Sequence, residues 1–227
     1  MRLFQSIGYL SGYVVSSRDR HIRRIKIALV AQFVGLVAVA QPGSQNSTPI
    51  PGNYEDALHL SYDSVSKEVS GYVKMDVNAL DNPKKIYRSC AVLFIGKING
   101  PGTARVDIYN SPDIKLVTTG GLTFDAEKVT LTAKSGEEFC NDILNLTEGL
   151  DMEFTKRHPY IGCRAVNEGK AYLYSSPVDS ARTKMYLLKG DMIMILGIRA
   201  DWVKIEYVGK KTIDGWIRKS QLSPGFR

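Results

Sequence analysis

Lys170 to Leu222 reads KAYLYSSPVDSARTKMYLLKGDMIMILGIRADWVKIEYVGKKTIDGWIRKSQL, and the class of fold turns on this stretch. It holds three short β-type runs, MYLL, MIMIL and WVKIEYV, each closed by a turn bearing glycine or charge, and then DGWI and SQL. Strands of this length set off by such turns point to a small antiparallel barrel. Alternation agrees. Val203, Ile205 and Tyr207 share one face of a strand and Lys204 and Glu206 the other, because successive side chains point to opposite sides. Ile193 and Ile195 repeat the pattern one strand earlier, with Gly190-Asp191 turning the chain into it. Met192 and Met194 then take the outward parity, and two outward methionines call for a cover, either a neighbouring domain or a partner.

The same parity sorts the aromatic residues. With Ala171 and Leu173 toward the core, Tyr172 and Tyr174 point away from it, and Tyr186 and Trp216 can join them on the surface. Flat rings with polar tips, set in a shallow groove, grip extended peptides or glycan–peptide chains. Trp202 and Trp216 are equally compatible with a core position.

The order AYLYSSP, LKGD, apolar strand, W-x-K-I and G-W-I-x-x-S-x-L resembles the bacterial Src-homology-3-like domain. Trp202, Gly215 and Trp216 fall where that family carries its aromatic and glycine marks. Two departures stand out: Ser175-Ser176 precede Pro177 where the family usually has glycine, and KKTI with Asp214 lengthens the last hairpin. The resemblance implies a small barrel acting as a non-catalytic binding module, often attached to proteins that work on or near the bacterial cell wall.

Upstream, the net charge of +7 raises the question of nucleic acid. Its distribution answers it. Residues 1–40 hold six Lys/Arg and one acid, so of the 30 basic and 23 acidic residues the rest keeps 24 against 22. A near-neutral body offers no footprint for a phosphate backbone, and no nucleic acid is expected as partner. The basic leader, 1–40, has the anatomy of a secretory signal: a positive segment from Arg18 to Lys26, an apolar run and Ala38-Val39-Ala40 before Gln41. The run IALVAQFVGLVAVA is well short of the roughly 20 residues that cross a bilayer. An exported chain, periplasmic or extracellular, starting near Gln41 is expected, with a flexible lead-in over 41–53 rich in Pro, Gly, Ser and Asn.

Residues 54–166 read as a separate all-β domain. LHLSY, EVSGYVKM, AVLFIG, ARVDIY, GGLTF, EKVTLTAK, MEFTK and YIGCRAV are strand-like, and about eight short strands imply a β-sandwich or closed barrel. Only Asn141–Leu150 has a helical flavour. Asn167-Glu168-Gly169 marks the junction, and a second domain follows over 168–223. A linker this short sets two domains at a fixed angle, and a barrel of about 55 residues has a thin core that docking would support.

Three cysteines allow three single pairings. Cys90–Cys140 is the preferred one, since both flank strands of one domain; three reduced, buried thiols are the alternative if the leader is no signal. No metal or other cofactor is expected, because C-x-x-C is absent and His59 and His158 lack ligand spacing. Nor is an enzyme. Cell-wall peptidases that carry such terminal domains resemble one another in an Asp-Cys-Ser-Gly stretch opening a helix, whereas Ser89-Cys90-Ala91-Val92 opens a β-type run here. The sequence therefore leads to an exported binding or adaptor protein of the cell envelope. Tyr172, Tyr174, Trp216 and Tyr186 would contact a cell-wall component or an envelope protein or peptide. The alternative is an inhibitor or immunity-type protein whose first domain blocks a toxin or cell-wall hydrolase.

Overall fold

The computed structural model describes residues 48–79, 82–111, 113–135, 144–209 and 211–223. The expected leader, most of the lead-in and Cys140 lie outside them. The described chain is all-β, apart from two single 3₁₀ turns. Its first eight strands are β1 (Gly52–Tyr54), β2 (Leu58–Asp63), β3 (Glu68–Ala79), β4 (Asn82–Gly100), β5 (Thr103–Asn110), β6 (Leu116–Phe124), β7 (Lys128–Ala133) and β8 (Leu150–Arg157). Each pairs antiparallel with the next, and β8 returns to β1, closing a barrel.

Period-2 alternation fills that barrel. Leu58 and Leu60, Val69 and Val73, Val92 and Phe94, Val106 and Ile108, and Val129 and Leu131 all point inward and are buried. Gly71 keeps space for one of them: a Cβ there would lie 2.6 Å from the ring of Phe94 and 2.3 Å from the His59 carbonyl oxygen. The segment with helical flavour contains no helix in its described part. Leu144 and Leu146 instead join the barrel core. Their burial explains the misleading pattern, since two nearby leucines can also come from an irregular segment packed into a core. The outward positions of β2–β5 are unusual. Register places Asn53, His59, Tyr72, Leu93 and Tyr109 side by side across β1 to β5, an apolar and aromatic row on the outside of the barrel.

That row is covered by the remaining strands. These are β9 (Gly162–Ala165), β10 (Lys170–Tyr174), β11 (Arg182–Leu188), β12 (Met192–Arg199), β13 (Trp202–Val208) and β14 (Thr212–Arg218). They form one sheet in the order β11-β10-β14-β13-β12-β9. The strand Gly162–Ala165, within the stretch grouped with the first eight on sequence, hydrogen-bonds to β12. All four of its residues are buried, so no alternation reveals which sheet it joins. Met192 and Met194, the two outward methionines, pack with Tyr72, Leu93, Tyr160, Cys163 and Ala165. Their cover is the barrel wall. The opposite face of the sheet holds its own core of Ala171, Leu173, Leu187, Ile193, Ile195, Val203, Ile205 and Ile217.

Several polar groups at this seam are matched, as burial demands, while Asn53 Oδ1, His59 Nδ1 and His158 Nε2 are buried with no hydrogen-bond partner among the described residues. The free edge of β9 is capped by hydroxyls: the Cys163 amide donates to Ser70 Oγ at 2.9 Å and the Ala165 amide to Ser223 Oγ at 3.2 Å. Arg164, buried, donates from Nη2 to Glu68 at 2.8 Å and from Nη1 to the Cys163 carbonyl at 2.7 Å. Tyr160 donates its phenol to Glu206.

Candidate functional site

Strand β10 explains how the aromatic residues are displayed. Its burial alternates along KAYLY, with Ala171 and Leu173 fully buried and Tyr172 and Tyr174 on the other side. Tyr172 lies opposite Tyr186 on β11, and Tyr174 opposite Trp216 on β14. The structure thus brings the four aromatic residues selected from sequence onto one face. Pairing extends the row in both directions, to Arg182 beyond Tyr174 and to Lys204 beyond Trp216. Direct cross-strand neighbours have Cβ atoms about 5 Å apart, so this row is continuous contact surface.

Cations rest on these rings. The Arg182 guanidinium lies 4.7 Å from the centroid of Tyr172, and Lys170 Nζ 4.8 Å from that of Tyr186. Between Tyr186 and Arg182, β11 carries two more residues than β10 does between Tyr172 and Tyr174, a bulge that displaces Arg182 from simple register. Arg218 packs 3.9 Å over Trp202, while Tyr174 meets the same indole edge-on at 4.7 Å. Trp202 therefore has outward parity yet is only 6% exposed. It is the buried support under Tyr174 and Arg218. Exposed cation–ring contacts contribute about 0.5–1 kcal/mol each, enough to hold long side chains in place without making them rigid.

Charge is segregated between the two sheets. Residues 41–161 carry twelve Lys/Arg against sixteen Asp/Glu, whereas 162–223 carry eleven against six. The near-neutral total conceals this. On the aromatic face, Lys170, Arg182, Lys184 and Lys204 are exposed, as is Asp214 two residues before Trp216, and the Asp179 carboxylate bonds Arg218 Nη2 at 2.5 Å.

The seam is the other concentration of polar chemistry. A cleft of about 480 Å³ opens beside it, lined in part by Glu68, Asp107, Lys97, Arg164 and Ile198. Deeper in, His59 stacks on Tyr72 and His158 on Tyr160, each pair with centroids 4.7 Å apart. Burial, together with repulsion from His158, lowers the His59 pKa to about 4. Burial pushes the Cys163 thiol well above its ordinary range, so it stays protonated and is a poor nucleophile. His158, five residues before Cys163, is committed to its tyrosine. Cys163 is free and buried, and Cys90 lies in the barrel core. Cys140 lies outside the described residues, and with it the proposed bond. Among the described residues no group of three or more His, Cys, Asp or Glu is placed to hold a metal.

No family model, no curated protein and no solved structure matches the chain.

The reading from sequence missed the cations of this face. A signal was there for three of them: Lys170 shares parity with Tyr172 and Tyr174, and Arg182 and Lys184 share it with Tyr186. Arg218 likewise shares parity with Trp216, but only the β13–β14 register sets it against Trp202.

Proposed function

We propose that this chain is an exported, non-catalytic binding or adaptor protein of the bacterial cell envelope. On this reading residues 168–223 are a Src-homology-3-like binding domain, and the barrel of β1–β8 is the separate domain it docks on. The outer face of β10, β11 and β14 contacts peptidoglycan or an extended peptide. The observation that carries the proposal is the convergence of Tyr172, Tyr174, Tyr186 and Trp216 on one face with cations seated on the rings. Four aromatic side chains set side by side and only partly covered are a costly surface for water to cover, and a bound chain would relieve it. Export rests on the leader and its Ala-Val-Ala site.

The test is co-sedimentation with purified peptidoglycan alongside pull-down from envelope extract, comparing the wild type with Tyr172→Ala/Tyr186→Ala. These two are the better pair to remove, because Tyr174 also supports Trp202. A tenfold or greater loss of capture with an unchanged melting temperature is expected, since aromatic anchors dominate interface energies. Undiminished capture would move the binding site elsewhere.

One observation favours the inhibitor or immunity-type reading. Strands β3 and β4 span 12 and 19 residues, and beyond Met75 and Cys90 no described residue of either joins the barrel core. A long hairpin arm on an acidic barrel suits insertion into a basic cleft of a toxin or hydrolase. Capture of such an enzyme from extract, with no binding to peptidoglycan, would favour it.

In the exported chain we also propose a Cys90–Cys140 disulfide, which would contribute about 4 kcal/mol by restricting the unfolded chain, less any strain. Non-reducing peptide mapping should recover that pair, with Cys163 alkylated only after unfolding. Recovery of Cys140 joined to Cys163 would overturn it.

A further inference from the structure

The cations on the aromatic face select the ligand's charge, and we infer that its ligand is an acidic extended peptide carrying two carboxylates about an apolar residue. The inference rests on the proposal that this face binds, and adds what it binds. Asp179 shows the mode of recognition within the chain itself. Arg218, stacked on Trp202, presents Nη2 to the Asp179 carboxylate at 2.5 Å. A ring beneath a guanidinium holds its plane and leaves the N–H groups directed outward, the geometry that suits a carboxylate. Arg182 over Tyr172 and Lys170 over Tyr186 repeat this arrangement without a carboxylate of the chain on either, among the described residues.

These two sites stand at opposite ends of one ladder. Lys170 begins β10, while Arg182 pairs with Tyr174 at its end, four residues away. From these two ends both side chains lean inward, Lys170 onto Tyr186 and Arg182 onto Tyr172, the cross-strand pair between them. Tyr172 and Tyr186, with ring centroids 6.0 Å apart, would take an apolar residue between two carboxylates of the peptide. Charge complementarity names the class. The face has Lys170, Arg182, Lys184 and Lys204 exposed against the exposed Asp214 two residues before Trp216, while the Asp179 carboxylate is already spent on Arg218. A second copy docking through the same face would bring like charges together. The ring faces already carry cations, which disfavours stacked nucleobases, whose binding needs bare faces.

Fluorescence anisotropy on the full chain tests this with labelled peptides of the form Glu-x-Leu-x-Glu in low-salt buffer. Expected is binding at least tenfold tighter than for the Gln-x-Leu-x-Gln peptide, weakening steeply as salt rises. Lys170→Glu/Arg182→Glu should abolish the preference while leaving the melting temperature within a few degrees. Tyr172→Ala/Tyr186→Ala separates the two claims. If the tyrosine pair weakens capture of envelope ligand but the charge-reversed pair does not, the face binds and the acidic assignment is wrong. If neither variant changes anything, both fail. Equal binding of anionic lipid vesicles and polyphosphate with the peptide would also overturn it, since the face would then be reading net charge alone.

Discussion

The barrel and the second sheet solve the same problem in opposite ways. The barrel pairs every strand on both sides, so its backbone groups are satisfied by closure and its apolar side chains are sequestered within. The sheet is open and has two edges. One, β9, is pressed on the barrel and capped by Ser70 and Ser223. The other, β11, carries a bulge and the exposed cations Arg182 and Lys184, the devices that discourage edge-to-edge pairing. Closure leaves the barrel wall with little to offer except the row that receives the sheet. Openness leaves the sheet a wet, aromatic face that its own core does not need. The division suggests why recognition would sit on the sheet and support in the barrel.

The comparison can be broken most forcefully at Phe94, which fills the barrel and is fully buried. Phe94→Ala should lower stability by about 3–5 kcal/mol. Both tryptophans, Trp202 and Trp216, lie in the sheet, so their fluorescence reports on the region Phe94 does not touch. If the seam couples the two, the tryptophan-detected denaturation midpoint shifts with the circular-dichroism one. A tryptophan midpoint that stays put would show two independent units.

The pH dependence sharpens the role of the seam. His59 has a folded pKa of about 4, and an unfolded histidine titrates near 6.5. Above about 6.5 it is neutral in both states and its contribution is fully present. As pH falls from 6.5 to 4 the unfolded chain takes up the proton first, and stability declines by up to roughly 3 kcal/mol. His59→Phe keeps a ring against Tyr72 and should flatten the denaturation midpoint across this window. An equally steep decline in the variant would assign the effect to other groups.

The smallest effects belong to the face itself. Tyr174→Ala uncovers Trp202 and should lower stability by about 1 kcal/mol, while Tyr172→Ala should stay within about 0.5 kcal/mol. Thermal melts distinguish them, and equal losses would mean that Tyr172 is as structural as Tyr174.

Much of this was legible residue by residue. Strand parity along 170–222 placed Ala171, Leu173, Ile193, Ile195, Val203 and Ile205 inside and the tyrosines outside, because a strand has a period of two whatever it packs against. The outward methionines announced a covered surface for the same reason. Parity could not identify the partner of Gly162–Ala165, which is buried on every side, or distinguish a closed barrel from a sandwich, since both need the same alternation.

By itself, then, the sequence determined local matters: the all-β class, the inward and outward sides of the strands along 170–222, and the turns. Those depend on backbone geometry and on neighbours one or two residues away. Only the tertiary structure decided what depends on distant segments. Strand closure from β8 to β1, the capture of β9 by β12, the Arg164–Glu68 pair across 96 positions and the seating of Arg218 on Trp202 are contacts between residues far apart in the chain. Their formation is set by packing and desolvation of the assembled sheets, and neither is written in any short stretch of sequence.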